Sequence, residues 1–185
     1  RSSLFAGPYA LISALFAIAA LAVLFVWFGL GIWLPRLLET QGYDLGSALT
    51  FALTLNIGAV IGSILTAWAG TRYGALAAAA VATALTGLAM VAMISDQLPI
   101  VVTYLLLIVA GIGTHGSMCL IIGAINNTYP AAIRGTALGW ALGMGRLGAV
   151  LAPQAGGLLI GTAAGVAAVY GVFAGGAIFA AAVMG

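Results

Sequence analysis

Six apolar stretches, each about long enough to cross a bilayer, take up most of this chain and leave short connections between them. A spanning helix needs roughly 20 mostly apolar residues. The stretches run about 9–34, 45–68, 76–94, 100–125, 136–160 and 166–184. The first stops at Pro35; the third is rich in alanine, which contributes little to insertion. No alternating strand pattern appears, which argues against a membrane barrel. Only 4% of residues are charged and 64% are hydrophobic, whereas a soluble domain carries roughly 25% charge. The chain cannot cover a water-facing surface, so its solvent is lipid. The expectation is an all-α integral membrane protein in which residues 1–185 form a single bundle of six transmembrane helices.

The few charges fix an orientation. An even number of spans puts Arg1 and Gly185 on one side, with Arg72 and Arg134 and no acid. Glu39, Asp44 and Asp96 fall on the other side, with only Arg36. Positive loops stay in the cytoplasm, so both termini are expected there. The net charge of +2 is too small and scattered for nucleic-acid binding. Cys119 is the one cysteine, which excludes an internal disulfide or a thiol pair. One His and one Cys cannot build a metal site, and no cofactor is expected. His115 and Ser117 sit two apart on one helix and point in different directions, so they make no nucleophile–base pair. The chain begins at Arg1 and stops inside an apolar run, and it reads as a piece of a longer protein.

Glycines recur at helical spacing: Gly58 with Gly62, then Gly135, Gly139 and Gly143, then Gly157, Gly161 and Gly165 across the last connection, and Gly171 with Gly175. Small residues four apart let helix backbones approach closely in lipid. Such seams also let one bundle rock against another.

Within 129–157, the part Tyr129–Arg134 reads as a short polar turn, and the part from Thr136 onward as a helix holding Arg146 about ten residues in. At about 1.5 Å per residue, Arg146 lies near the middle of a roughly 30 Å core. A charge at that depth costs at least about 2.5–3.5 kcal/mol and normally faces a cavity or a partner. No acid is expected within any of the six helices. The counter-charge is then a helix-end carbonyl, a further part of the protein, or a substrate carboxylate, which matches the guanidinium fork. Gly139, Gly143, Val150, Pro153 and Gln154 share its face, which should point into the protein. Gln154 reads either as a cavity residue or as an interhelical hydrogen bond. Asn56 near the middle of the second helix carries the same two readings. His115 is either a proton relay or a packing residue. Phe25, Trp27, Phe28 and Trp33 in the first helix are lipid-facing or packing residues, or a platform for a flat aromatic ligand; Trp33 fits the interfacial belt.

Two segments resemble the C-terminal half of a major facilitator superfamily transporter, with the chain corresponding to helices seven to twelve. Ala67-Trp68-Ala69-Gly70-Thr71-Arg72-Tyr73-Gly74 is similar to that superfamily's loop signature, G-x-x-x-D-R-x-G-R; Arg72 and Gly74 survive, while Ala67, Thr71 and Ala75 replace the first Gly, the Asp and the final Arg. Tyr129-Pro130-x-x-x-Arg134-Gly135-Thr136-x-x-Gly139-Trp140, followed by Gly143-Met144-Gly145-Arg146-Leu147-Gly148, is similar to the aromatic acid:proton symporter group. The resemblance implies a transporter and not an enzyme, taking up benzoate, hydroxybenzoates or similar anions with a proton by alternating access, in a bacterial inner membrane. It implies that the first, second, fourth and fifth helices line a cavity and that the third and sixth are peripheral. It makes Arg146, Asn56, Gln154, Trp27 and His115 the substrate-binding candidates and Arg72, Gly74 and Arg134 gating-loop residues. The expected partners are the aromatic carboxylate, the proton, the lipid bilayer, and either an N-terminal six-helix half or a second copy of the chain. The alternatives are a six-helix scaffold or channel-like protein acting as a homodimer, and a superfamily carrier for another organic anion or a sugar.

Overall fold

The computed structural model describes residues 4, 5, 7, 9–95 and 98–185. Arg1 and Asp96, both used above to orient the chain, lie outside these described residues. Six helices make up the fold: α1 Tyr9–Thr40, α2 Leu45–Tyr73, α3 Ala75–Ala92, α4 Ile100–Thr128, α5 Ala131–Ile160 and α6 Gly165–Met184. No strand occurs among the described residues.

Short links force neighbours to run antiparallel. Gly74 alone joins α2 to α3, and Tyr129–Pro130 joins α4 to α5. Gly74 has φ +96°, where a side chain is strained, so its place in the loop has a backbone cause. α1 packs along α5 and α6, α2 along α4, and α3 along α4 and α6. Apart from Arg146, the described charges sort to the two ends of the bundle. Arg72 and Arg134 lie at the end where α1 begins and α6 finishes, and Arg36, Glu39 and Asp44 at the other.

Two boundaries differ most from the sequence reading, each for a local reason. Pro35 does not end α1, which continues to Thr40 with Pro35 inside it. A proline removes one backbone bond, here to the Gly31 carbonyl, and membrane helices tolerate such a break when neighbours support the chain. The extension brings Glu39 into the last turn of α1, 3.5 Å from Arg36, so one acid does lie within a helix, though at its end. The turn expected at 129–134 is shorter. Pro130 is the N-cap of α5, and Arg134 already lies in helix. Proline's fixed φ suits a helix start, and the Arg134 guanidinium donates from Nε and Nη2 to the Tyr129 carbonyl, each at 3.3 Å.

α1, α2, α3, α4 and α6 are long and apolar enough to cross a membrane. α5 was expected to qualify and is the exception, because Arg134, Arg146, Gln154 and its many glycines dilute its apolar content. A helix of this length that is poor in apolar side chains is suited to face protein or water rather than lipid.

Glycine seams close the bundle. Between α2 and α4, a Cβ on Gly58 would come within 2.5 Å of the Ile108 carbonyl oxygen, and one on Gly62 within 2.5 Å of the Ile112 Cα. Between α1 and α5, Gly148 lies against the Leu21 carbonyl and a Cβ there would reach the Phe25 nitrogen at 2.9 Å. Gly135, Gly139, Gly143, Gly161, Gly171 and Gly175 meet nothing within 4 Å. The spacing rule therefore holds for α2 and fails for these. Four buried threonine hydroxyls are satisfied within their own helices, which suits a lipid surround. Thr66 donates to Gly62 O, Thr83 to Ala79 O, Thr86 to Ala82 O and Thr114 to Ala110 O.

A polar knot ties the end of the bundle where α1 begins and α6 finishes. The Tyr129 hydroxyl is 2.8 Å from Ser13 Oγ, Ser13 Oγ donates to Leu4 O, and Trp140 Nε1 donates to Ser13 O at 3.1 Å. Tyr129 is 2% exposed, with Tyr9 and Phe16 rings beside it. Tyr129→Phe is expected to lower bundle stability by about 1 kcal/mol, the usual worth of one such bond, read as a lower thermal midpoint in detergent. At the other end Trp33, expected as a belt residue, is half-buried and donates Nε1 to Pro153 O at 3.2 Å.

Asp44 caps α2. Its carboxylate accepts from Ser47 Oγ at 2.6 Å and Ser47 N at 3.1 Å, and these two bonds hold its pKa below the usual carboxylate value. A lowered pKa in the folded state adds stability above the ordinary carboxylate range and loses it as pH falls through the lowered value. Asp44→Ala is expected to depress the thermal midpoint at neutral pH, and the gap to wild type is expected to close on acidification through that titration.

Candidate functional site

Two buried cores stack along the bundle. One gathers Leu30, Leu34, Phe51, Met90, Leu107, Tyr170 and Phe173. The other gathers Phe16, Val23, Met118, Ile121, Tyr129 and Met184. Trp27 and Phe28 pack against the first, and Leu24 against the second. At this junction lies a cleft of about 200 Å³, lined by Leu24, Trp27, Phe28, Thr114, His115, Met118, Leu142 and Arg146.

Three helices build the cleft, each from near its middle. Arg146 lies at the midpoint of α5, which at about 1.5 Å per residue is about 45 Å long. Its Cζ is 6.0 Å from the centroid of the Phe28 ring, over its face. The His115 ring lies 5.3 Å from the Trp27 ring, inclined at 48°. No hydrogen bond or ion pair to Arg146 or His115 occurs among the described residues. A cation with free donors, two aromatic faces and an imidazole therefore share one small space. That set can hold a flat anion, with charge at one end and ring contacts along its faces.

A larger groove of about 660 Å³ runs between α2 and α3, lined by Leu65, Val81, Leu85, Val109 and Ile112 among others. Its wall is almost wholly hydrocarbon, so it offers a polar ligand nothing to orient it.

Of the five substrate-binding candidates, Trp27, His115 and Arg146 meet in the cleft, and Asn56 and Gln154 lie outside it. Asn56 is exposed on α2 and donates Nδ2 to the Ala52 carbonyl of its own helix at 2.8 Å. Gln154 is exposed, two turns beyond Arg146 on α5. The face of α5 that carries Arg146 points away from the other helices of this bundle. Gly139, Gly143, Arg146, Val150 and Gln154 are all exposed, while Ala137, Ala141, Gly145, Gly148, Ala152 and Gly156 form the buried face toward the other helices. The small residues divide between two faces, and the tightest seam took the buried one. Among the gating-loop candidates, Arg72 lies with its Cζ 5.9 Å from the Tyr73 ring centroid, while Gly74 and Arg134 take the backbone and capping places described above.

No family model matches the chain. Among curated proteins, it is 53% identical to the gentisate transporter of Corynebacterium glutamicum over 152 residues, which is 82% of this chain and 34% of that protein. It is 36% identical to the benzoate transport protein of Acinetobacter baylyi over 126 residues, 68% of this chain and 27% of that protein. The chain is a homologue of aromatic-acid transporters. It is also 27% identical to the 4-hydroxybenzoate transporter PcaK of Pseudomonas putida over 158 residues, 85% of this chain and 35% of that protein. These homologues are named as transporters and not as enzymes. The chain spans about a third of their length. With its apolar helices, this makes it a multi-pass membrane protein.

Leu24, Met118 and Leu142 were not singled out by sequence reasoning, yet they follow a simple rule. Leu24 lies three residues before Trp27, Met118 three after His115, and Leu142 four before Arg146. Residues one turn apart share a helix face, so these neighbours of Arg146, His115 and Trp27 could have been read from the same spacing.

Proposed function

We propose that this chain forms the C-terminal half of a proton-coupled importer of small aromatic carboxylates, working by alternating access in a bacterial inner membrane with both termini in the cytoplasm. The observation that carries the reading is the cleft, where Arg146 shares one space with Trp27 and Phe28 at mid-helix depth. Arg146 holds the carboxylate through paired charge-assisted hydrogen bonds. Trp27 and Phe28 flank the ring. Asn56 and Gln154 would meet substrate only along its path to or from this cleft.

The exposed face of α5 is the surface on which a second six-helix half would close the site. The relatives are nearly three times as long as the matched region, which favours a half from the same polypeptide over a second copy of this chain. Arg72 in the last turn of α2, Gly74 between α2 and α3 and Arg134 in the first turn of α5 sit together at the cytoplasmic end and would shift as the halves rock. Proton coupling predicts that radiolabelled gentisate or benzoate accumulates in cells expressing the full-length protein, and that a protonophore abolishes the accumulation. Undiminished accumulation with the gradient collapsed would rule out the symport reading.

A further inference from the structure

The cleft offers a ring-bound ligand little that is polar beyond Arg146. Leu24, Met118 and Leu142 are apolar, and the Trp27 and Phe28 walls present ring faces. Thr114 is 1% exposed, and its hydroxyl donates to Ala110 O at 2.7 Å. That leaves His115. Its ring is exposed to the cleft, held against Trp27 at 5.3 Å, and makes no hydrogen bond among the described residues. An imidazole both donates and accepts, so it can pair with a phenolic hydroxyl in either role. A ring hydroxyl that enters such a site without a partner forfeits its bonds to water.

We propose that His115 is a specificity-determining residue that reads a ring hydroxyl, so that the site takes hydroxylated benzoates in preference to benzoate itself. The inference rests on the reading of this cleft as the aromatic-carboxylate site. Arg146 fixes one end of the ligand, the aromatic walls fix its plane, and His115 supplies the polar partner that distinguishes one ring from another. The stacking on Trp27 serves this role by limiting the positions the imidazole can take.

The test is equilibrium binding of gentisate, 3-hydroxybenzoate and benzoate to the purified full-length transporter, wild type against His115→Phe, His115→Gln and Arg146→Gln. His115→Phe keeps a ring against Trp27 and removes the hydrogen bond. It is expected to weaken at least one of the two hydroxylated ligands by about tenfold or more while benzoate changes by less than about twofold. His115→Gln, which still donates and accepts, is expected to recover part of the lost affinity. Equal weakening of all three ligands by His115→Phe, or no change in any, would overturn the role of His115. Arg146→Gln separates the two levels. If it weakens all three ligands while His115→Phe shows no selectivity, the site stands and the hydroxyl reading falls. If it leaves all three unchanged, the site reading falls and this inference with it.

Discussion

Arg146→Gln in the full-length protein is expected to cut uptake of benzoate and gentisate at low concentration by about a hundredfold or more. A hydrogen bond to a charged group contributes about 1.5–3 kcal/mol, and a guanidinium makes two to one carboxylate. About 2.7 kcal/mol is already a hundredfold in affinity. Glutamine keeps most of the length and one pair of donors but no charge. Arg146→Lys is expected to fall between, because an ammonium keeps the charge and loses the fork. The loss would not come from misfolding. Arg146 is exposed on α5, its Cζ lies 6.0 Å from the Phe28 ring centroid, and it makes no hydrogen bond or ion pair among the described residues. Uptake assays in cells with matched membrane levels of each variant check this directly.

The second large effect concerns the α1–α5 seam. Gly148→Leu is expected to prevent the protein from accumulating in the membrane. A Cβ at 148 lies 2.9 Å from the Phe25 nitrogen and 3.1 Å from the Leu21 carbonyl carbon. Both are backbone atoms, so no rotamer change makes room. Overpacking a tight core costs about 1–3 kcal/mol even where side chains can move, and here two long helices would have to part. Helix association in lipid depends on close packing rather than on hydrophobic burial, so separated backbones lose most of what holds them. Gly171→Ala is the control. Nothing lies within 4 Å of that position, and alanine favours a helix over glycine by about 0.5–1 kcal/mol. The pair is read by membrane yield and by elution as a single species in detergent.

The architecture was legible in the sequence because lipid imposes one rule on every span: apolar length. Each expected stretch falls within one observed helix or within a residue or two of it. What the rule cannot see is where a helix continues past the bilayer. Pro35 looked like a stop, yet α1 runs on through Arg36 and Glu39. Tyr129–Arg134 looked like a turn, yet all but two residues joined α5. Polar composition does not distinguish a loop from a helix end in water.

The site was legible in part for a related reason. Arg146 stood out because a charge at mid-helix depth is costly, and His115 and Trp27 because of their chemistry. Asn56 was chosen on depth alone. Its amide is answered by the Ala52 carbonyl one turn away, a bond that spacing permits but does not announce. The glycines carry the same lesson. Gly58 and Gly143 obey the same spacing, but one meets the α4 backbone and the other meets nothing in this chain. Periodicity tells which residues share a face and is silent on what covers it.

The central claim is that Arg146 binds the substrate through its carboxylate charge. Competition binding of benzoate against its uncharged amide, benzamide, isolates that charge on a ligand of nearly the same shape. The account predicts that the wild-type full-length protein prefers benzoate by about tenfold or more, the minimum for one charge-assisted bond, and that Arg146→Gln binds the two about equally. An Arg146→Gln protein that still prefers benzoate as strongly as wild type would contradict it.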